Sequence, residues 1–330
     1  MSDRPASARK AFSTAFLAPV ALALALAPHS AVAQASNPAQ DKPVEPYTLH
    51  MEVDRVLLSA TVLDRHNTPV SGLQQNNFLI REDDRPQPIK DFSHDDIPVT
   101  VGILVDNSGS MGNNRADVIS AAISFARSSN PLDQIFVINF NDHVTFALPP
   151  ETPFTDRIDK LRQALATIHS IGMTSLYDAI AAGLEHLNLG SSDKKVLILI
   201  SDGDDNASTH TLAQVTALAR KSSAILYAIG IFDPGDPDQK PGILTHLARE
   251  TGGEAFFPAS SREIQPICEG IARDIRSQYT LTYLPTSAVE DGSFHTIKVT
   301  ATSPTRGRLS VRTRTGYTVP AANPAHPAQP

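Results

Sequence analysis

The hydrophobic residues of this chain follow different patterns in different regions. From residue 99 to residue 276, nearly continuous apolar runs such as 196–200 alternate with segments such as 211–221, whose apolar residues recur at helical spacing. A continuous apolar run is typical of a strand covered on both faces, and helical spacing is typical of an amphipathic crossover helix. The alternation predicts an α/β fold with a doubly wound, mainly parallel sheet and flanking helices.

The two flanks of this region contain the shorter apolar segments and turn residues that are typical of β-strands. We expect the strands of residues 47–96 to pair with those of residues 278–318, so that the flanks form a small β-rich module. Asp83-Asp84-Arg85-Pro86 predicts a hairpin turn that leads to a returning strand at 88–92. A glycine is usual in such a turn and none is present, so the turn type stays open.

The N-terminus has the pattern of a targeting segment. Three basic side chains lie within residues 4–10, an apolar run follows at 11–27, and small residues occupy 31–33. This order predicts a Sec-type signal peptide and export to the periplasm or to the outside of the cell. An uncleaved membrane anchor is the alternative. No second apolar run has membrane length, so no membrane span is expected in the mature chain.

These patterns divide the chain into a signal peptide, a linker, an N-terminal β module, an α/β domain, C-terminal β-strands and a disordered tail. The predicted boundaries, in that order, are 1–33, 34–46, 47–96, 97–277, 278–318 and 319–330. The length of 330 residues is consistent with about two folded units.

Composition limits the partners and cross-links that we expect. The formal net charge is −7, so nucleic acid is not an expected partner. Cys268 is the only cysteine, which makes an intramolecular disulfide impossible. We expect Cys268 to be a small buried residue of a helix, because free cysteines are usually buried.

Oxygen-bearing side chains follow two predicted strands and occupy one further loop. Open α/β sheets bind ligands at the carboxyl ends of their strands, so we expect these side chains to converge there. Alternation would place Asp106, Ser108 and Ser110 on one side of an extended loop, with Gly109 permitting a tight backbone path. Carboxylates and hydroxyls are hard donors, which suit Mg²⁺, Mn²⁺ or Ca²⁺ and disfavour Zn²⁺ or Cu. The candidate donors therefore lie in the segments 106–111, 172–175 and 201–205.

Asp-x-Ser-x-Ser at 106–110, a distant Thr174 and the Asp202-Gly203 pair together resemble the metal-ion-dependent adhesion site of von Willebrand factor A domains. The resemblance covers about residues 99–276. It implies the Rossmann-like fold of that family, with Mg²⁺ as the expected cation. It also implies the metal ligands, which are Asp106, Ser108, Ser110, Thr174 and Asp202. It also implies a protein partner whose acidic side chain completes the coordination. The flanks, including Tyr279-x-Leu281-x-Tyr283, resemble those of bacterial proteins called VWFA-related.

Other polar residues near these motifs have simpler interpretations. We expect Asp178 to cap or solvate the start of its helix, and Asp204 and Asp205 to be solvated loop charges. Five histidines are interpreted as surface or helix-end residues: His143, His169, His186, His210 and His246.

The motifs favour a binding protein and not an enzyme. A phosphatase of the haloacid-dehalogenase type would need a second Asp where Ser108 stands, because serine cannot act as the general acid near neutral pH. No Walker loop or His-Glu-x-x-His helix is present in the sequence. We expect an exported, metal-dependent protein-binding module. The alternatives are a structural component of an envelope or secretion assembly, in which the cation only stabilises, and a Mg²⁺-dependent hydrolase.

Overall fold

The fold comes from a computed structural model that describes residues 55–166, 171–232, 240–286, 292–304 and 306–319. The predicted signal peptide, linker and residues 320–330 of the predicted tail lie outside the described residues. The strands are β1 (Val56–Leu63), β2 (Phe78–Glu82), β3 (Arg85–Gln87), β4 (Ile89–Ser93), β5 (Thr100–Asp106), β6 (Gln134–Phe140), β7 (Val144–Phe146), β8 (Lys195–Ser201), β9 (Ile225–Gly230), β10 (Ala255–Phe256), β11 (Tyr279–Tyr283), β12 (Phe294–Ser303), β13 (Gly307–Arg308), β14 (Ser310–Arg312) and β15 (Gly316–Thr318). The helices are α1 (Arg115–Ser128), α2 (Ile158–Ala166), α3 (Leu176–His186), α4 (Leu212–Lys221), α5 (Pro241–Thr251) and α6 (Ile264–Arg276).

The centre of the fold is a six-stranded sheet in the order β10-β9-β8-β5-β6-β7. β7 runs antiparallel to β6, and the other neighbours are parallel. Val101, Ile103 and Val105 of β5 face a core that includes α1, α2 and α6, whereas Leu104 faces a second core that includes α3, α4 and α5. The predicted doubly wound, mainly parallel sheet with flanking helices is therefore confirmed.

The flanks of the chain form two further antiparallel sheets. One has the order β14-β1-β11-β4, and the other has the order β13-β12-β2-β3, with β15 also paired to β12. Apolar side chains from both sheets share a third core, which includes Leu58, Ile80, Leu281 and Val299. The expected pairing of N-terminal with C-terminal strands is confirmed, and we call these two packed sheets the flanking sandwich.

The hairpin between β2 and β3 differs from the expectation in its returning strand. Asp83 and Asp84 have φ values of 47° and 62°, and Glu82 pairs with Arg85, as in a two-residue type I′ turn. The returning strand is therefore β3, and the predicted returning strand at 88–92 was wrong, because β4 pairs with β11 in the other sheet. Pro88 lies between β3 and β4 and has no N–H for a strand ladder, which fits the change of sheet at this point.

Asp274 of α6 joins the flanking sandwich to the central domain. Its carboxylate accepts hydrogen bonds from Thr61 Oγ1 of β1 (3.0 Å) and from Tyr227 OH of β9 (2.6 Å), and it forms an ion pair with Arg312 of β14. Thr315 also donates to the Glu250 carbonyl at the end of α5. Because crossover helices run antiparallel to the strands, these contacts lie at the amino end of the central sheet.

Two further observations concern α6 and the helices in general. Cys268 is fully buried in α6, as the sequence predicted, and burial raises the pKa of its thiol to about 12. Within the described parts of the chain, every helix is too short or too polar to cross a membrane.

Removal of the Asp274 carboxylate should weaken the contact between the sandwich and the central domain. We expect Asp274→Ala to lower the free energy of unfolding by about 3–5 kcal/mol, because Arg312 would lose a buried partner. The matched control is Asp91→Ala, whose exposed pair with Arg55 spans 3.7 Å and should contribute less than about 1 kcal/mol. Urea unfolding measures both values, and equally small losses would contradict this role of Asp274.

Candidate functional site

The candidate metal ligands converge where the order of the central sheet reverses. β5 pairs with β6 on one side and with β8 on the other, and connections leave β5 and β8 in different directions. Asp106 ends β5, and Asp202 directly follows β8. The register that aligns Val105 with Ile200 therefore brings both carboxylates to the same edge, which is the usual place for a ligand in an open α/β sheet.

Hydrogen bonds join four of the five predicted ligands into one cluster. The Ser108 backbone N–H donates to Asp106 Oδ1 (2.8 Å), and the hydroxyl oxygens of Ser108 and Ser110 lie 3.0 Å apart. Ser110 Oγ donates to Asp202 Oδ2 at 2.5 Å. Asp106, Ser108 and Asp202 are buried and Ser110 is exposed, so the cluster reaches the solvent through Ser110.

The local backbone differs from the extended loop that alternation suggested. A 3₁₀ helix begins at Gly109 and extends to Asn114, so Ser110 lies in a helical turn and the expected alternation was wrong beyond Ser108. The turn still brings the two serine hydroxyls together. Gly109 has no positive φ and has room for a Cβ, so its expected special role was also wrong.

Gly172 is the glycine that the site geometry requires. Its φ is +90°, and a Cβ at this position would lie 1.8 Å from Asp142 Oδ2. The Gly172 carbonyl accepts a hydrogen bond from the Gly109 N–H (3.2 Å), and the Met173 N–H donates to Asp142 Oδ1 (3.1 Å). These contacts hold the loop that precedes α3 against the loops that follow β5 and β6.

Thr174 is brought to this edge by its backbone. Its N–H donates to Asn206 Oδ1 (2.8 Å), and its carbonyl accepts hydrogen bonds from the N–H groups of Asn206 and Ala207. The Thr174 side chain is buried. Its hydroxyl forms no hydrogen bond with the other four candidate ligands, all of which are described residues. The structure therefore joins Asp106, Ser108, Ser110 and Asp202 directly and brings Thr174 to the cluster through its loop.

The cluster has an unbalanced negative charge. Burial, and then the nearby carboxylate of Asp202, raise the pKa of Asp106 to about 7, although hydrogen bonds from Ser201 and Ser108 act in the opposite direction. Within the described ranges, neither Asp106 nor Asp202 forms an ion pair with a Lys or Arg side chain. A divalent cation would supply the missing positive charge, and the oxygen donors suit Mg²⁺, Mn²⁺ or Ca²⁺.

The three neighbouring aspartates all have structural contacts. Asp178 accepts hydrogen bonds from the backbone and ring of His210 and from Thr209, so it holds a loop. The expectation that Asp178 caps or solvates the start of its own helix was therefore wrong. Asp205 accepts from the Tyr177 N–H at the start of α3, and Asp204 pairs with Lys240 at 2.9 Å. The expectation that Asp204 and Asp205 are merely solvated charges was therefore wrong.

Several buried polar side chains that support the cluster were not predicted from the sequence. Ser201 Oγ donates to Asp106 Oδ2 (2.6 Å) and is completely buried. The Asn107 amide donates to Asn139 Oδ1 (3.0 Å), and Arg115 donates to Asn107 Oδ1. The signal that could have identified these side chains is a polar residue within or directly after an apolar run, as at Asn139 and Ser201.

A second group of possible metal ligands lies in the flanking sandwich. Single ligand atoms of Glu82, Asp83 and His295 all lie within 4.8 Å of one another. No motif in the sequence pointed to this group, since its members come from β2, the following turn and β12.

The raised pKa of Asp106 predicts a pH-dependent stability of the metal-free protein. The folded state binds the proton of the Asp106 carboxyl more tightly than the unfolded chain does, because the usual pKa of an aspartate is 3.8. The stabilisation is therefore complete below about pH 4 and is lost as the pH rises through about 7. In EDTA, the free energy of unfolding of the wild type should fall by about 2–4 kcal/mol more than that of Asp106→Asn as the pH rises from about 4 to about 7. Urea unfolding at several pH values tests this, and identical profiles would contradict it.

Several solved structures are similar to this one over part of the chain. The structure is similar to a von Willebrand factor type A protein from Catenulispora acidiphila, with a TM-score of 0.49 and 12% identity over 81% of this chain and 74% of that chain. It is also similar to BatB from Bacteroides thetaiotaomicron, with a TM-score of 0.44 and 16% identity over 54% of this chain and 100% of that chain. A third similar structure is the PilB minor pilin from Streptococcus sanguinis, with a TM-score of 0.45 and 14% identity over 58% of this chain and 64% of that chain.

Sequence comparison identifies the family. A search of curated protein sequences gave no match. The profile of the von Willebrand factor type A domain matches residues 100–269, which include β5 to β10 and the first part of α6. Because this match covers half of the sequence, the chain belongs to the von Willebrand factor type A domain family.

Proposed function

We propose that this protein is an exported, non-enzymatic binding protein that holds one divalent cation, most favourably Mg²⁺, and uses it to bind an acidic side chain of a protein partner. Domains of this family are often metal-dependent protein-interaction modules. The observation that carries the proposal is the hydrogen-bonded cluster of Asp106, Ser108, Ser110 and Asp202 at the reversal of the sheet. Thr174 would be the fifth ligand.

The donor set explains why such a cation could accept a further ligand. Two carboxylates balance the charge of a divalent ion, whereas serine and threonine hydroxyls add no negative charge. The ion would therefore stay electrophilic towards a carboxylate from outside. Ser201 would hold Asp106 in place by its 2.6 Å hydrogen bond, and Asn206 would hold the Thr174 loop.

The surface beside the cluster also fits a protein partner. Ile171 and Met173 are 67% and 51% exposed, and they flank Gly172 next to the cluster. Their loop is held by hydrogen bonds from the Ile171 N–H to the Asn107 carbonyl and from the Met173 N–H to Asp142. Large apolar side chains on a fixed loop lose little freedom on binding, so they would add affinity to a charged contact.

Export and the absence of catalysis are parts of the proposal. Export rests on the signal-peptide pattern of residues 1–33, and periplasmic and secreted locations remain equal alternatives. Ser108 stands where a phosphatase would need an acid, which disfavours the Mg²⁺-dependent hydrolase. The remaining alternative is a structural component of an envelope or secretion assembly, in which the cation only stabilises the fold.

Metal binding is tested by calorimetry with Mg²⁺ and Mn²⁺. The wild type should bind one ion saturably, and Asp106→Ala should bind it at least about tenfold more weakly, because a charged ligand is lost. The matched control Asp204→Ala removes a carboxylate two residues from Asp202 and should keep the wild-type affinity. Circular dichroism checks that each variant is folded. Equal affinity in wild type and Asp106→Ala would refute the site.

Partner binding is tested by affinity capture from the native envelope in Mg²⁺ and in EDTA. Specific partners should be recovered in Mg²⁺ by the wild type and by Asp204→Ala, and lost in EDTA and with Asp106→Ala. The double variant Ile171→Ser/Met173→Ser should bind Mg²⁺ normally and recover less partner. Recovery of the same partners in EDTA, with a melting temperature that Mg²⁺ still raises, would favour a purely stabilising cation.

A further inference from the structure

We propose that Glu82, Asp83 and His295 form a second cation site, in the flanking sandwich, which takes Zn²⁺ or a similar first-row transition metal. His295 Nδ1 lies 2.7 Å from Asp83 Oδ2 and 4.0 Å from Glu82 Oε1, and the three ligand atoms all lie within 4.8 Å of one another. The pairing of β2 with β12 sets this arrangement, since Glu82 lies opposite Ile297 and the Asp83 N–H donates to the Thr296 carbonyl.

Each of the three side chains is oriented by a hydrogen bond to its other polar atom. Tyr283 OH and Tyr317 OH donate to Glu82 Oε2 at 2.5 Å and 3.2 Å. The backbone N–H and hydroxyl of Thr296 both donate to Asp83 Oδ1 at 2.9 Å. Protein metal sites usually have such a shell of supporting groups, which leaves the facing atoms available to the ion.

His295 has a matching arrangement. Its Nε2 lies 2.8 Å from Ser293 Oγ, which leaves Nδ1 directed towards the two carboxylates. Ligating histidines commonly donate their second ring nitrogen in this way, which fixes the tautomer. A metal at this place would replace the proton between His295 Nδ1 and Asp83 Oδ2, and that proton would pass to the solvent.

An independent observation also points to a cation. The Glu82 side chain is only 3% exposed, yet its Oε1 atom accepts no hydrogen bond from any residue that the structure describes, and it faces His295. Both tyrosine hydroxyls donate to Oε2, so Oε1 is the oxygen of this carboxylate that remains for an ion. Within the same described ranges, no Lys or Arg forms an ion pair with Glu82 or Asp83, and His295 is the basic residue beside both carboxylates.

The donor types identify the metal class. An imidazole nitrogen with two carboxylates suits Zn²⁺ or a similar first-row ion, whereas Mg²⁺ and Ca²⁺ prefer oxygen donors alone. Asp83 is 46% exposed, so an ion could enter from the solvent and retain an open coordination position. It would connect the β2–β3 hairpin to β12.

The test is a titration of the full chain with Zn²⁺ in excess Mg²⁺, measured by calorimetry. The wild type and Asp106→Ala should each bind one Zn²⁺ saturably, which separates this site from the first. His295→Gln and Asp83→Asn should each bind it at least about tenfold more weakly. The control His66→Gln removes an exposed histidine and should keep the wild-type affinity. Equal Zn²⁺ affinity in wild type and His295→Gln would overturn the site.

X-ray absorption of the wild-type Zn²⁺ complex tests the ligands without relying on any variant. One imidazole with oxygen donors is the expected result. No imidazole, or two or more, would overturn the proposal, since only one histidine belongs to the group. Mg²⁺ affinity should be unchanged in Asp83→Asn, so failure of this site is distinguishable from failure of the first.

Discussion

The backbone hydrogen bonds between β5 and β8 force two carboxylates into one small, mostly buried space. Their register aligns Val105 with Ile200, so Asp106 and Asp202 necessarily meet at the edge of the sheet. Two like charges in a place of low dielectric repel strongly, and nearby hydroxyls reduce that repulsion only in part. Most of the local structure is arranged around this constraint, including the buried Ser201 and the loop that Gly172 allows to approach.

Buried carboxylates in this protein are accommodated in different ways. Asp274 has an arginine, a tyrosine and a threonine around it, and it connects two parts of the fold. Glu82 has two tyrosine hydroxyls on one oxygen and a histidine near the other. Asp106 has only serine donors. The charge of Asp274 is balanced by Arg312 without an ion. In contrast, Asp106 leaves a carboxylate charge for a cation to balance, and Glu82 leaves an oxygen atom for a cation to bind.

The parts of the fold that depend on local pattern were predictable from the sequence. The apolar runs identified the central strands, and the strand ends identified Asp106 and Asp202, because a parallel sheet brings such ends together. The path of the chain after Ser108 was not predictable, since a 3₁₀ turn has no periodic signal. The partners of β4 and the group around His295 also depend on pairing between residues about 200 positions apart, which no local pattern encodes.

The same difference between local pattern and tertiary contact explains why the hydrogen bonds of the aspartates beside the cluster were not predicted. Asp178 lies in the first turn of α3 and Asp205 lies in a polar loop, and solvation is the usual expectation for charged residues at such positions. In the structure each accepts hydrogen bonds from across the gap between α3 and the loop after β8. These contacts depend on how two segments approach in space, so they follow from the tertiary structure and not from the surrounding residues.

The position of the flanking sandwich has a mechanical consequence. It contacts the central domain at the amino end of the sheet through Asp274 and Glu250, whereas the Asp106 cluster lies at the carboxyl end. A pull between the sandwich and anything held at the cluster would act along the axes of β5 and β8. It would load the hydrogen bonds between these strands together, in shear, instead of opening them one after another.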